Sequence, residues 1–227
     1  MIIDSSYIIF IVPCIILSMI AQFLVKSRYN KYSNIDSGTG LTGADVAKQI
    51  LQKNGIYDVT IRKTPGVLTD HYDPRTKTVM LSDRVYSGSS VSSLSIAAHE
   101  VGHAMQKNEE YLPLSIRAAL VPVANIGTNL AWVLIIMGIA IEMTGFVKLG
   151  IIMFSFGVLF QVVTLPVEFN ASNRAIEALA DGIMPPEKIP ASKKVLGAAA
   201  LTYVAAAATA IAQLLRVLYL TRGRRDD

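Results

Sequence analysis

Residues 97–103 of the chain read Ala-Ala-His-Glu-Val-Gly-His, and the interpretation of the whole sequence starts from this stretch. Residues four apart share one face of a helix, so His99 and His103 can present imidazole nitrogens to a single metal ion. Glu100 lies one residue round the helix, close enough to reach a metal-activated water without being a ligand. The spacing therefore predicts a zinc site in which Glu100 serves as general base for hydrolysis of a peptide bond.

The surroundings of the motif support this interpretation. The chain contains three histidines, and two of them lie within the motif. Apolar residues around them recur at helical spacing, which predicts a helix capped by Ser92 or Ser93 and continuing to about Asn108. The alternative for this pattern is a pair of ordinary helix histidines that hold no metal.

A catalytic zinc ion takes three protein ligands and leaves its fourth position to water. The third histidine of an extended His-x-x-Gly-x-x-His motif is missing here, because residues 106–109 read Gln-Lys-Asn-Glu. The third ligand must therefore come from elsewhere in the chain. The candidates by side-chain chemistry are His71, Glu168, Glu177 and Asp181.

Composition and apolar stretches indicate a membrane protein. Apolar residue types make up 52% of the chain and charged ones 17%, whereas about a quarter of a soluble domain is charged. The mean hydropathy is +0.44. This composition excludes a disordered chain, and the single cysteine excludes a disulfide framework and a Cys-rich zinc module. Four stretches are long enough to cross a hydrocarbon core, and they are residues 7–25, 118–141, 149–167 and 197–215.

The second and third stretches predict a transmembrane hairpin, because only a short segment separates them. Lysine and arginine are concentrated in residues 26–117 and 168–196, which assigns both segments to the cytoplasm and the N-terminus to the outside. The arginines behind the fourth stretch then lie outside if that stretch crosses, and inside if it does not. The hairpin returns the chain to the face that it left, so Glu168 comes back beside the histidines. Glu177 and Asp181 are the runners-up.

Residues 26–117 predict a small α+β unit. Thr42 and Asp45 resemble a capping box ahead of a helix. Residues 56–64 alternate apolar and polar side chains as a half-buried strand does. A turn at Asp73-Pro74-Arg75 separates two further extended segments, which predicts a hairpin of residues 67–72 and 76–81.

Four separated motifs, which occur in order along the chain, carry a family resemblance. Together they resemble the YugP-like neutral zinc metallopeptidases of bacteria, and the resemblance covers the chain from about residue 40 to its end. The layout is similar, more distantly, to the HtpX-like membrane peptidases of the gluzincin group. The motifs are Thr-Gly-Ala-Asp-Val-Ala at 42–47, Leu-Thr-Asp-His-Tyr-Asp-Pro-Arg at 68–75, the stretch 97–106, and Leu-Pro-Val-Glu-Phe-Asn-Ala-Ser at 165–172.

The resemblance implies a set of site residues. His99, His103 and Glu168 would hold one zinc ion per chain, and Glu100 would be the catalytic base. Where the HtpX-like pattern has an aspartate after its alanine, this chain has Ser172, which can still form a hydrogen bond to a zinc histidine.

Zincins generally bind an extended substrate along an edge strand beside the zinc helix. Residues 76–81 are the expected edge strand, since a strand edge offers main-chain hydrogen bonds to any peptide. His71, Tyr72 and Arg174 are the candidates to bind substrate or to stabilise the oxyanion.

The predicted fold class is an α+β zincin-like catalytic domain combined with a helical membrane domain of three to four transmembrane helices. The predicted protein is a membrane-anchored zinc endopeptidase of the bacterial cytoplasmic membrane, with its active site on the cytoplasmic side. Its expected partners are a protein or peptide substrate and the lipid bilayer. Assembly into a homo-oligomer is an open alternative. The lack of a long basic run argues against binding of nucleic acid. The predicted segments are an anchor at 1–25, a catalytic domain at 26–117, the hairpin at 118–167, a cytoplasmic segment with the third ligand at 168–196, and a last helix with a basic tail at 197–227.

Two other functions stay open. A site-2-type intramembrane protease would hold its His-Glu-x-x-His helix within the bilayer, although the apolar run here, residues 96–105, is short for that purpose. A non-enzymatic membrane scaffold with a vestigial metal site is the other. A transporter is disfavoured, because its spans would need polar or ionisable residues that these stretches nearly lack.

Overall fold

The structure, a computed structural model, describes residues 4–222, so the tail at 223–227 lies outside the described residues. The described chain is mostly helical and carries a small three-stranded sheet. In chain order the elements are α1 (Ser5–Phe10), α2 (Val12–Ser33), α3 (Gly43–Lys53), β1 (Thr60–Thr64), β2 (His71–Asp73), β3 (Thr78–Ser82), α4 (Asp83–Tyr86), α5 (Val91–Asn108), α6 (Leu112–Ala140), α7 (Thr144–Ala180), a 3₁₀ turn (Pro186–Lys188) and α8 (Ile189–Arg222).

The described residues form two compact units, and neither is one continuous piece of chain. The apolar unit comprises residues 4–21, 115–166 and 202–222. The sheet-containing unit comprises residues 22–114 and 167–201. Four helices, α2, α6, α7 and α8, contribute residues to both units.

Four helices are long and apolar enough to cross a membrane, which confirms the helices predicted from the apolar stretches. They run over Ser5–Ser33, Leu112–Ala140, Thr144–Ala180 and Pro186–Thr221. Each begins before its apolar stretch, because the residues that precede the stretch are themselves compatible with helix. The first is divided at Ile11, close to Pro13, whose ring lacks the N–H that would bond to the preceding turn.

Within the apolar unit α6 and α7 pack antiparallel, and glycines make the contact close. A Cβ on Gly150 would lie 2.8 Å from the carbonyl oxygen of Ala131, and one on Gly138 would lie 2.8 Å from the nitrogen of Val147. Small residues let helix backbones approach where lipid supplies no hydrophobic drive.

The sheet has the strand order β1-β3-β2, with β1 parallel and β2 antiparallel to β3. The hairpin predicted around Asp73-Pro74-Arg75 is confirmed. The expectation that residues 76–81 form an edge strand is wrong, because β3 lies in the middle with hydrogen-bonded neighbours on both sides. The described edges are β1 and β2.

The core of the sheet-containing unit is built from the apolar faces of α3, α5 and the end of α7 against β3. The capping box of Thr42 and Asp45 is confirmed at the start of α3. Helix α5 is capped by Ser90, not by Ser92 or Ser93 as expected, because the hydroxyl oxygen of Ser90 accepts from the backbone nitrogen of Ser93. Fully buried members of this core include Val46, Ile50, Val79, Leu81, Leu94, Val101 and Leu179.

Candidate metal centre

The predicted zinc motif lies in the middle of α5, against the part of α7 that belongs to the same unit. Gly102, inside the motif, marks the closest approach of the two helices. A Cβ at this position would lie 2.6 Å from the carbonyl oxygen of Ala171, which a side chain cannot do without moving α7. The glycine therefore lets α7 come near enough to present side chains to the histidines.

The structure brings His99, His103 and Glu168 together. The Oε2 atom of Glu168 lies 3.3 Å from Nε2 of His99 and 3.6 Å from Nε2 of His103. Zinc bonds of about 2.0–2.1 Å at tetrahedral angles put neighbouring ligand atoms about 3.3–3.4 Å apart. Both distances from the carboxylate to an imidazole are thus close to the spacing that a tetrahedral ion requires, and the three donor atoms lie within 4.8 Å of one another.

The chemistry of the donor set also fits zinc. Two imidazole nitrogens and one carboxylate oxygen are a common ligand set of catalytic zinc, which keeps a fourth position open. Glu168 is only 2% exposed, and a carboxylate so buried needs a cationic or hydrogen-bonding partner. Among the described residues, these three side chains form the group of metal-ligating atoms that lie within 4.8 Å of one another.

Each histidine uses its other ring nitrogen to contact a neutral side chain. Nδ1 of His99 lies 3.2 Å from the hydroxyl of Ser172, and Nδ1 of His103 lies 3.0 Å from Oε1 of Gln106. Such contacts fix the orientation of an imidazole and leave Nε2 for a metal. Ser172, expected from the sequence to support a histidine, lies in hydrogen-bond contact with His99.

Glu100 follows His99 on α5 and is 8% exposed. Burial raises the pKa of its carboxyl group, and the negative charges of Asp70 and Glu168 raise it further, while His99 and His103 act in the opposite direction. A carboxyl group with a raised pKa is better suited to accept and return a proton.

Sequence reasoning missed Gln106, which is fully buried beside His103. A signal was available, since residue 106 follows His103 by three positions and therefore shares its face of the helix. The side chain also reaches α7, where it donates to the carbonyl oxygen of Val167. Nothing in the local pattern announced this second contact, because it depends on how α5 and α7 pack.

The other predicted residues lie as follows. His71 is exposed on β2, and its Nδ1 lies 2.8 Å from the carbonyl oxygen of Thr69, while Tyr72 is half-buried against the core. The guanidinium of Arg174 donates to both carboxylate oxygens of Glu109. The runner-up ligands are outside the group of three, since Glu177 is exposed and Asp181 pairs with Lys53.

Comparison with known proteins gives two matches. The profile of a family described as "Putative neutral zinc metallopeptidase" matches residues 7–222. The chain is 46% identical over 212 residues to a protein of Bacillus subtilis (strain 168) named "Putative membrane protease YugP", and the alignment covers 93% of this chain and 94% of that protein. No solved structure matches.

Proposed function

We propose, from the premise that the chain belongs to this neutral zinc metallopeptidase family, that it is a membrane-anchored endopeptidase with one zinc ion held by His99, His103 and Glu168. The observation that carries the proposal is the convergence of three donor atoms from two helices, with the Glu168 oxygen 3.3 and 3.6 Å from the two imidazole nitrogens. The identity of the third ligand is the part that the sequence left open. Glu168 is the acid that lies beside both imidazoles.

A zinc ion, when bound, supplies Lewis-acid chemistry by polarising a carbonyl oxygen and lowering the pKa of water. The residues of the chain supply orientation and proton transfer. The carboxylate of Glu100 accepts a proton from the attacking water and then passes this proton to the leaving amine. Its burial keeps the proton within the site, and the histidine nitrogens are held in place by Ser172 and Gln106.

The gluzincin-like, zincin-type arrangement is part of the proposal. It is supported by α5, which carries both histidines and packs against the sheet, and by an acid ligand from a later helix. The substrate strand is reassigned from β3 to β2, because β2 is a described edge and contacts α5. His71 and Tyr72 belong to β2 and would therefore lie next to the substrate segment in the sheet. Arg174 is assigned a supporting role, since Glu109 and Asn170 engage its donors.

The crossing of all four helices is supported by a pairing inside the apolar unit. Arg216, near the end of α8, donates to the hydroxyl of Ser6 at 3.2 Å and to Asp4 at 3.4 Å, and its guanidinium lies over the ring of Tyr7. The start of the first helix and the end of the last therefore lie together, as expected if all four helices cross. With the basic segments inside, both ends face outward and the zinc site faces the cytoplasm.

Metal analysis of the purified full chain tests the function and the third ligand together. Wild type should contain about one zinc per chain. Glu168→Ala should lose it, and the matched variant Glu177→Ala, an exposed acid on the same helix, should retain it. Zinc lost from Glu177→Ala and kept by Glu168→Ala would overturn the ligand assignment, and metal-free wild type without proteolytic activity would favour the scaffold alternative.

Mapping of cleavage sites tests the intramembrane alternative. Among the described elements, the four helices able to cross a membrane do not include α5. This observation favours cleavage outside the bilayer. Sites within the transmembrane helix of a substrate would support the site-2-type reading instead.

A further inference from the structure

Gln106 joins the two helices that carry the candidate ligands. Its side chain is fully buried. The oxygen Oε1 lies 3.0 Å from Nδ1 of His103, and the nitrogen Nε2 donates to the carbonyl oxygen of Val167 at 2.8 Å and to Oδ1 of Asn170 at 2.9 Å. One amide thus contacts a candidate ligand on α5 and, on α7, the residue that immediately precedes Glu168.

The orientation of this amide follows from its partners. A backbone carbonyl can only accept, so the group facing Val167 must be the –NH₂ of Gln106. A flipped amide would set two oxygens against each other at hydrogen-bond distance. The oxygen of Gln106 must then face His103.

The second partner of the amide is fixed by an arginine. Nε–H of Arg174 donates to Oδ1 of Asn170 at 2.7 Å, and an arginine has no acceptor. Asn170 therefore presents oxygen, not nitrogen, to Arg174 and to Gln106. The guanidinium is itself held by two bonds of 2.6 and 2.7 Å to Glu109. Each amide orientation in this hydrogen-bond network is thus fixed by a partner that can only donate or can only accept.

We propose that Gln106 is a positioning residue that holds His103 in the tautomer with the proton on Nδ1. Because the amide oxygen only accepts, Nδ1 must donate, which leaves Nε2 as the nitrogen that can offer a lone pair to a metal ion beside Glu168. The inference rests on the proposed zinc site for its purpose. His99 has no equivalent, because the hydroxyl of Ser172 can either donate or accept.

The same side chain links the position of His103 to that of Glu168. Its bond to the carbonyl of Val167 fixes the α7 backbone one residue before the acid. Loss of Gln106 therefore disturbs two ligands at once. The network Glu109–Arg174–Asn170–Gln106 acts through these contacts and touches neither metal nor substrate.

The tautomer of His103 can be measured by NMR, and the spectrum can be assigned because the chain has three histidines. Full-length protein labelled with ¹⁵N-histidine, prepared in detergent without added metal and at a pH at which each ring carries one proton, gives three sets of ring couplings, which His71→Asn and His99→Asn assign. His103 should carry its proton on Nδ1 in wild type and become mixed in Gln106→Met. A proton on Nε2 in wild type, or no change in Gln106→Met, would overturn the proposal.

Zinc affinity from chelator competition gives the second measurement. Gln106→Met and Asn170→Leu should bind zinc about 10–100-fold more weakly, the usual effect of losing the outer partner of a ligand. Asn170→Asp should keep wild-type affinity, since both bonds at this residue use its oxygen. Ser95→Ala, which removes a buried hydrogen bond elsewhere on α5, is the matched control.

These measurements separate the two proposals. If wild type binds no zinc, the proposed function fails. The tautomer of His103 still tests the positioning role of Gln106 in that case. If wild type binds zinc and Asn170→Leu binds it equally well, the orienting network is refuted. If Gln106→Met does not fold, the contrast between Asn170→Asp and Asn170→Leu decides.

Discussion

Glu100 is the residue whose chemistry the proposed reaction uses most directly. It lies between two candidate ligands on one helix, and it is buried without being part of the group of three donors. Residues at positions 99 and 103 share one helix face, and residue 100 is rotated from it. In the proposed reaction, this separation lets the carboxylate move protons while the imidazoles hold the metal.

Replacement of the base should separate binding from catalysis. Glu100→Gln keeps the shape of the side chain but cannot accept a proton, so cleavage should fall about 10²–10⁴-fold, the usual contribution of general acid–base catalysis. The zinc content should stay at the wild-type value. Parallel assays of peptide hydrolysis and bound zinc check this, and an active Glu100→Gln variant would exclude the assigned role.

Replacement of Asp70 should move the acid limb of the pH profile of kcat/KM. Glu100 must be deprotonated to act as a base, so the rate falls as the pH falls through its pKa. Asp70 raises that pKa by its negative charge. Asp70→Asn removes the charge, so the pKa of Glu100 falls and the acid limb of kcat/KM moves to lower pH.

The control for this experiment is Asp83→Asn, an exposed acid of the same unit that pairs with Lys63. Its profile should coincide with that of wild type. A shift of the Asp70→Asn limb to higher pH would contradict the electrostatic argument, because loss of a like charge cannot favour the protonated form.

At the scale of elements, the site depends on the contact between α5 and α7. Gly102 allows the two backbones to approach, and Ala171 on the other side is also small and fully buried. Close-packed interiors transmit even small changes of volume. Glu168 precedes the contact on α7, so its distance from the histidines is set by the same packing.

Gly102→Ala should therefore damage the site as well as the fold. The added methyl meets backbone, which cannot rotate away, and overpacking of this kind typically costs about 1–3 kcal/mol of stability. The midpoint temperature of thermal unfolding and the affinity for zinc should both decline. Gly197→Ala on α8, where a Cβ meets nothing within 4 Å, should lower neither quantity.

The elements also show where sequence reasoning succeeded. The end of α5 at Asn108, the capping box of Thr42 and the hairpin around Asp73-Pro74-Arg75 follow from local patterns, and each is present. The order of strands in the sheet depends on the parallel pairing of β1 with β3, a contact between distant segments. Local alternation of apolar residues cannot determine which strand lies in the middle, so the edge was misassigned.

At the scale of the whole molecule, both units are assembled from separated pieces of chain. The apolar stretches were sufficient to predict four long helices, because length and composition determine what can cross a bilayer. The convergence of Glu168 with the histidines was predicted from the return of the hairpin. The pairing of Arg216 with Asp4 was not, since it joins opposite ends of the chain.

The proposed orientation can be tested with cysteine reporters. The native cysteine is Cys14, so Cys14→Ala gives a cysteine-free background. In intact cells a membrane-impermeant maleimide should label Glu142→Cys, between α6 and α7, and leave Tyr57→Cys unlabelled although that residue is exposed. Permeabilised cells should label both. The reverse pattern in intact cells would place the zinc site outside.

The separation of the ligands along the chain has a consequence for biosynthesis. A ribosome that has completed α5 has made both imidazoles and the base, but the acid at position 168 follows only after α6 and most of α7. Until those helices have been synthesised and have folded back, the growing polypeptide lacks a complete ligand set. If the proposed function holds, the site would thus stay inactive beside neighbouring nascent chains until α7 has been made and has folded back.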